Sequence, residues 1–231
     1  MVRFPSVLPL ALLPLTAVAE VEEEIPWGIE VVTGLRSDYV YRGFDLGGTT
    51  LDAQVEAEIA LTNDLLVIFG GWLASELSDD FSEGGGYAEL RREFDEFSVG
   101  AGFTHAARDE TIIGDTTEAY LFLQYFPTNF LDLKLLGSRD FESNGWYTSL
   151  EGGWSHRIAE DAFILLTSGF SWSDDFNDRD GWNDYFGRLS LTYAISDTVS
   201  ITPYAGWSVL LRDHGGSDDS LFAGFWFEVN F

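Results

Sequence analysis

Tyr185-Phe186-Gly187-Arg188-Leu189-Ser190-Leu191-Thr192-Tyr193-Ala194-Ile195 sets apolar residues or glycine at its odd positions and mostly polar ones at its even positions. A period of two marks a strand with one apolar and one wet face. Residues 50–61 repeat the pattern, with Leu51, Ala53, Val55, Ala57, Ile59 and Leu61 on one face and Thr50, Asp52, Gln54, Glu56 and Glu58 on the other. A helix competes for this second segment, because Leu51, Val55 and Ile59 are also four residues apart and Ala, Glu and Gln are good helix formers.

Working outward from these two, the same theme predicts strands near 27–42, 50–61, 65–76, 87–93, 97–106, 117–126, 130–137, 146–156, 162–172, 185–195, 199–211 and 220–231. The connections alternate in length. Segments 43–49, 77–86, 107–116, 138–145, 173–184 and 212–219 are long, whereas Thr62-Asn63-Asp64, Phe94-Asp95-Glu96, Pro127-Thr128-Asn129, 157–161 and Ser196-Asp197-Thr198 are short. One end of the sheet therefore carries loops and the other turns. A β-sandwich has no reason to segregate its loops this way, but an outer-membrane barrel does, with long loops outside and tight turns in the periplasm. The expected fold is all-β, a transmembrane antiparallel up-and-down β-barrel of about 12 strands.

The N-terminal residues carry an export reading. Arg3 precedes the apolar run Phe4 to Leu15, and Thr16-Ala17-Val18-Ala19 forms an A-x-A processing site, so 1–19 is expected to be a signal peptide and 20–231 the barrel domain. As a membrane anchor the run falls short of the ~20 residues a spanning helix needs. The longest later candidate, Leu65 to Ala74, is broken by Gly70-Gly71 and is strand-sized. No cysteine is present, so an exported fold must be held by its own hydrogen bonds.

Composition excludes two classes. A formal net charge of −27 argues against nucleic acid, whose phosphates need a basic footprint. Acidity of that size could mean disorder, but 45% hydrophobic and 16% aromatic residues are too many for an unfolded chain. Much of the acid falls in the long loops, as at Asp79, Asp80, Glu83, Asp109, Glu110, Asp140, Glu142 and Asp174 to Asp184. Trp27, Trp72, Trp146, Trp154, Trp182 and Trp207 lie mostly near strand ends, where an amphipathic ring suits the headgroup level.

At the C-terminus, Gly224-Phe225-Trp226-Phe227-Glu228-Val229-Asn230-Phe231 places Phe225, Phe227, Val229 and Phe231 on one face and ends on an aromatic. It resembles the signal by which the barrel-assembly machinery recognises outer-membrane proteins. Near the other end, Ser37-Asp38-Tyr39-Val40-Tyr41-Arg42-Gly43, followed by Ala53-Gln54, is similar to the opening motif of the TorF family of porins. The likeness is motif-level over roughly 33–60, and Asp52 stands where that family commonly has proline. It implies a pore in the bacterial outer membrane without naming a solute.

If the odd residues of 50–61 and 185–195 face lipid, the opposite face points into the lumen. That face is expected to carry Glu30, Arg36, Asp38 and Arg42 on the first strand, then Asp52, Glu56, Glu58, Glu89, Arg91, Glu118, Asp132, Lys134, Glu151, Arg188 and Glu228. Acid is in excess, which favours cations and small polar solutes over anions, while pairing among the same residues could instead plug the barrel. Twelve strands enclose a lumen between those of filled eight-stranded and open sixteen-stranded barrels.

Catalysis finds little support. Ser143-Asn144-Gly145 resembles part of an outer-membrane phospholipase motif, but Phe141 stands where its histidine would be. His156 falls at the periplasmic end, His214 in a loop, and His105 near the outer rim without a visible serine partner. Asp175, Asp178 and Asp180 are weak candidates for a divalent cation, though Phe176 and Gly187 break the EF-hand pattern. No cofactor is expected. The expected partners are outer-membrane lipid and lipopolysaccharide, the assembly machinery and small solutes. A passive channel and a non-conducting structural or adhesive surface barrel are the two expected functions.

Overall fold

The computed structural model describes residues 27–78, 81–109, 112–212 and 218–231. The signal segment, and with it Asp79, Asp80, Glu110, Asp213 and His214, lies outside the described residues. Fourteen strands follow in chain order: β1 (Trp27–Arg36), β2 (Tyr39–Tyr41), β3 (Phe44–Gly47), β4 (Thr50–Thr62), β5 (Leu65–Glu76), β6 (Ser82–Glu93), β7 (Phe97–Asp109), β8 (Thr116–Thr128), β9 (Leu131–Asp140), β10 (Trp146–Ala159), β11 (Ala162–Phe176), β12 (Arg179–Ser196), β13 (Val199–Leu210) and β14 (Ser220–Asn230).

Twelve of them, all but β2 and β3, form one closed antiparallel barrel in which each strand pairs with its chain neighbours and β1 pairs with β14. The closing seam runs from Glu30↔Asn230 to Arg36↔Gly224 and is sealed by the Phe231 amide donating to the Ile29 carbonyl at 2.9 Å. Closure leaves no sheet edge, which is what lets strands stand in hydrocarbon. No described helix is long and apolar enough to cross a membrane. The strands carry the apolar surface instead. Leu73, Phe103, Leu121 and Leu150 on the outer wall are between 55% and 68% exposed, a degree of exposure that would promote aggregation in water.

The loops and turns segregate as expected, with four departures. The expected first strand, 27–42, stops at Arg36, and residues 39–47 form the separate hairpin β2/β3. The expected loop 173–184 is mostly strand: β11 and β12 run on to a tight turn at Asn177-Asp178, both with positive φ, as a two-residue type I′ hairpin requires. Pro127 likewise sits in β8 rather than in a turn, and β6 begins five residues earlier than the pattern indicated. At the short-turn end, Thr62 Oγ1 and then Arg92 Nε donate to the Asp64 carboxylate at 2.7 and 3.0 Å, and hold it below its ordinary range.

The inner wall follows a cross-strand rule. Trp72 is directly opposite Gly85, Tyr87 opposite Gly70, Tyr120 opposite Gly102, Phe122 opposite Gly100, Tyr204 opposite Gly224 and Trp226 opposite Gly34. Each ring lies over the bare backbone of its partner, so large aromatics line the barrel while leaving space inside. A Cβ at Gly102 would sit 2.5 Å from Tyr120 Oη and 2.6 Å from the Ala88 carbonyl oxygen. Gly102→Ala is therefore expected to destabilise the barrel by roughly 1–3 kcal/mol, read as a lower unfolding midpoint in detergent.

Candidate functional site: the barrel interior

The strand period places the expected charged residues. Glu30 and Arg36 on β1, Asp52, Glu56 and Glu58 on β4, Glu89 and Arg91 on β6, Glu118 on β8, Asp132 and Lys134 on β9, Glu151 on β10, Arg188 on β12 and Glu228 on β14 all occupy inward positions of the pleat. Asp38 and Arg42 do not belong to β1 at all. Asp38 lies at the root of the β2/β3 hairpin, and Arg42 lies at its tip.

That hairpin folds into the barrel and reaches the far wall. Arg42 and Gly43 form its turn, with φ of 50° and 80°, and glycine meets that requirement at no steric cost. The Arg42 guanidinium lies 2.6 Å from the fully buried Glu118 of β8 and rests over the rings of Tyr147, Phe176 and Tyr41 at 4.2, 5.0 and 5.1 Å. From β12, Asn183 Nδ2 donates to the Arg42 carbonyl at 2.9 Å and Arg179 Nη2 to the Gly43 carbonyl at 3.1 Å. Along the hairpin, Tyr39 Oη donates to Glu83 and Tyr41 Oη to Glu118, both at 2.6 Å. Tyr39, Phe44 and Leu46 then bury themselves with Phe81, Ile113, Tyr147 and Phe176. The outer end of the barrel thus contains a small apolar core ringed by ion pairs.

Several of the residues that make this arrangement were read differently from the sequence. Glu83, taken as a loop acid, is 4% exposed; it accepts from Tyr39 and Trp72 and pairs with Arg108. Trp72, expected at the headgroup level, faces inward to reach it. The signal that could have found them is the alternation of β6 extended outward from Glu89, since Glu83, Gly85 and Tyr87 share its parity.

Alongside and below the hairpin lies an internal cavity of about 380 Å³. Charged pairs line it. Arg36 pairs with Asp52, Arg91 Nη2 lies 2.5 Å from Glu89, and Tyr87 Oη donates to Glu56. Glu30, Glu151 and Glu228 face the same space, as do Lys134 and Arg188, whose charges sit over Phe122 and Trp226 at 4.5 Å. Glu58, Glu118 and Asp132 are inward but outside the cavity; Glu118 is sealed beneath the hairpin, and Asp132 accepts from Gln124 at 3.0 Å.

The remaining candidates sit elsewhere. Phe225, Phe227 and Phe231 are 37% to 75% exposed, and the first two are on the outer face of β14 with Val229 at the same parity. Asp175, Asp178 and Asp180 shape the β11/β12 turn, where the Asp175 amide donates to Asp180 at 3.1 Å. Among the described residues no group of three or more His, Asp or Glu is placed to hold a metal ion. His105 Nδ1 lies 2.9 Å from Thr117 Oγ1, which in turn donates to Glu142 at 3.1 Å, on the exposed outer face of β7.

No family model matches the chain, and no curated protein does either. Solved structures do. A KdgM porin aligns over 88% of this chain and 98% of its own at 11% identity and a TM-score of 0.53. A NanC porin aligns over the same shares at 12% and 0.56. An outer membrane channel from Pseudomonas putida F1 aligns over 92% of this chain and all of its own at 14% and 0.58. At such identities the likeness is one of fold, the closed β-barrel that these outer-membrane proteins share.

Proposed function

We propose that this chain is a porin-like outer-membrane channel through which small polar or cationic solutes diffuse passively. The observation that carries the reading is the charged cavity within a closed barrel, whose eight lining carboxylates, among them Glu30, Glu56, Glu151 and Glu228, exceed its six cations, among them Arg36, Arg42, Lys134 and Arg188. Fixed charge lining a pore raises the local concentration of counter-ions. The opening motif at 37–43 supports a kinship with TorF-like porins. Phe225, Phe227, Val229 and Phe231 suit recognition by the assembly machinery, and the outer apolar wall suits lipid and lipopolysaccharide.

Purified barrel in a planar bilayer under a tenfold salt gradient is expected to give single-channel steps with a reversal potential on the cation-selective side. Glu56→Gln with Glu228→Gln should move that potential toward zero by several millivolts. Absence of steps would reject the channel, and anion preference would reject the charge argument. The second reading, a non-conducting surface barrel, is favoured by one observation: the hairpin docked across the outer mouth.

A further inference from the structure

We infer that Trp72, Tyr87 and Tyr120 form, on one wall of the cavity, a binding site for small organic cations of the quaternary ammonium class. The inference rests on the channel reading and deepens it by naming a class of solute and the wall that holds it. All three rings line the cavity, and each lies across a glycine of the neighbouring strand, Gly85, Gly70 and Gly102 in turn. Tyr87 starts on β6, crosses β5 and donates to Glu56 on β4; Tyr120 starts on β8, crosses β7 and donates to Glu89 on β6 at 2.9 Å. A ring that spans two strands in this way lies along the wall, so it turns a face to the interior. Trp72 completes the set, its Nε1 donating to Glu83 at 2.5 Å. The polar edge of every ring is thus bonded to a carboxylate. Donation to a carboxylate returns electron density to the ring and makes its face more negative, and that face is what attracts a cation.

The barrel's own cations mark which rings are taken. Lys134 sits over Phe122 and Arg188 over Trp226, both at 4.5 Å, and Arg42 sits over Tyr147 at 4.2 Å. Among the described residues no arginine or lysine is seated over Trp72, Tyr87 or Tyr120. Arg91 and Arg108, the partners of Glu89 and Glu83, are turned instead to Phe122 and Tyr41, at 5.5 and 4.8 Å. Glu30 stands directly opposite Glu56 in the β1/β4 register, so the same wall carries further acid. An alkylated ammonium ion suits these surroundings better than a hydrated metal ion, because it gives up little hydration and offers apolar surface to the rings. A neutral sugar would stack on the same faces but would gain nothing from the carboxylates behind them. The cavity, at about 380 Å³, has room for such an ion.

Calorimetric titration of the full barrel in detergent tests this with choline and with its uncharged carbon analogue, in which a tert-butyl group replaces the trimethylammonium group. Choline is expected to bind about tenfold more tightly than the analogue. Equal affinity for the two, or no binding of choline, would overturn the inference; so would binding of glucose without binding of choline, which would make the wall a neutral stacking surface. This comparison uses the wild-type chain and depends on no variant folding. Tyr120 is the ring to change, because Glu89 keeps Arg91 as its partner when the phenol is lost. Tyr120→Leu should weaken choline binding about fivefold, and Tyr120→Phe, which keeps the face, should lie closer to wild type than to the leucine variant. An unchanged leucine variant, or an equal loss in both, would take the ring face out of the site and overturn the inference. Conductance separates the two readings. A barrel that binds choline but gives no single-channel steps rejects the channel and keeps the site, whereas one that conducts without binding choline rejects the site alone.

Discussion

Arg42→Met is expected to lower the stability of the folded barrel by roughly 3–5 kcal/mol, the loss that follows when one member of a buried ion pair is left without the other. Glu118 is fully buried, and the Arg42 guanidinium is its partner at 2.6 Å. The Tyr41 hydroxyl, donating at 2.6 Å, remains to satisfy one carboxylate oxygen, but it brings no charge. The Arg42 guanidinium also rests over the rings of Tyr147 and Phe176, so the single variant loses these cation–π contacts together with the ion pair. The companion Glu118→Gln in the same chain removes the stranded charge, and the double variant should regain more than half of the loss. The unfolding midpoint in detergent, followed by heat-dependent migration on gels, reads both. A single Arg42→Met variant within about 1 kcal/mol of wild type would show that the hairpin is not held by this pair.

The barrel wall and the charged interior were readable because strand period and burial coincide there. Once Leu51, Val55 and Ile59 face lipid, Asp52, Glu56 and Glu58 must face inward, and Arg188 on β12 follows from the alternation of its own strand. The hairpin was not readable for the same reason. Ser37-Asp38-Tyr39-Val40-Tyr41 continues the period of β1 without a break, and nothing local says that the chain leaves the wall at Arg36. What turns it inward is a set of partners far along the chain, Glu83, Glu118 and Asn183, and such pairs have no sequence signature.

The pairing of inward aromatics with glycines was hidden differently. Trp72, Tyr120 and Trp226 find Gly85, Gly102 and Gly34 only in the correct register, and register between strands is set by turn geometry that alternation alone does not fix. The Asp-rich segment around the β11/β12 turn misled through composition. Its acids looked like a solvated loop, yet Asp184 is 1% exposed and accepts from Ser208 at 2.7 Å, and Asn177-Asp178 alone makes the turn.

Leu135→Arg discriminates a membrane barrel from any barrel that stands in water, because the same change has opposite consequences in the two solvents. Leu135 is directly opposite Leu123 on β8 and Leu150 on β10, and the three form an outward row, 45% to 55% exposed, near the middle of the wall. In lipid an arginine there must carry its charge into hydrocarbon, at a cost of about 2–4 kcal/mol near the midplane. In water the same substitution replaces an exposed leucine with a well-solvated side chain and should be neutral within about 0.5 kcal/mol. Phe141→Arg is the internal control: Phe141 is 54% exposed but lies in the outer loop after β9, where lipid and water predictions agree on a small effect. Folding into phosphatidylcholine vesicles should therefore fall sharply for Leu135→Arg and stay near wild type for Phe141→Arg. Equal behaviour of the two variants would place the row of leucines outside hydrocarbon, and with it would go the reason for a closed barrel with its polar groups turned inward.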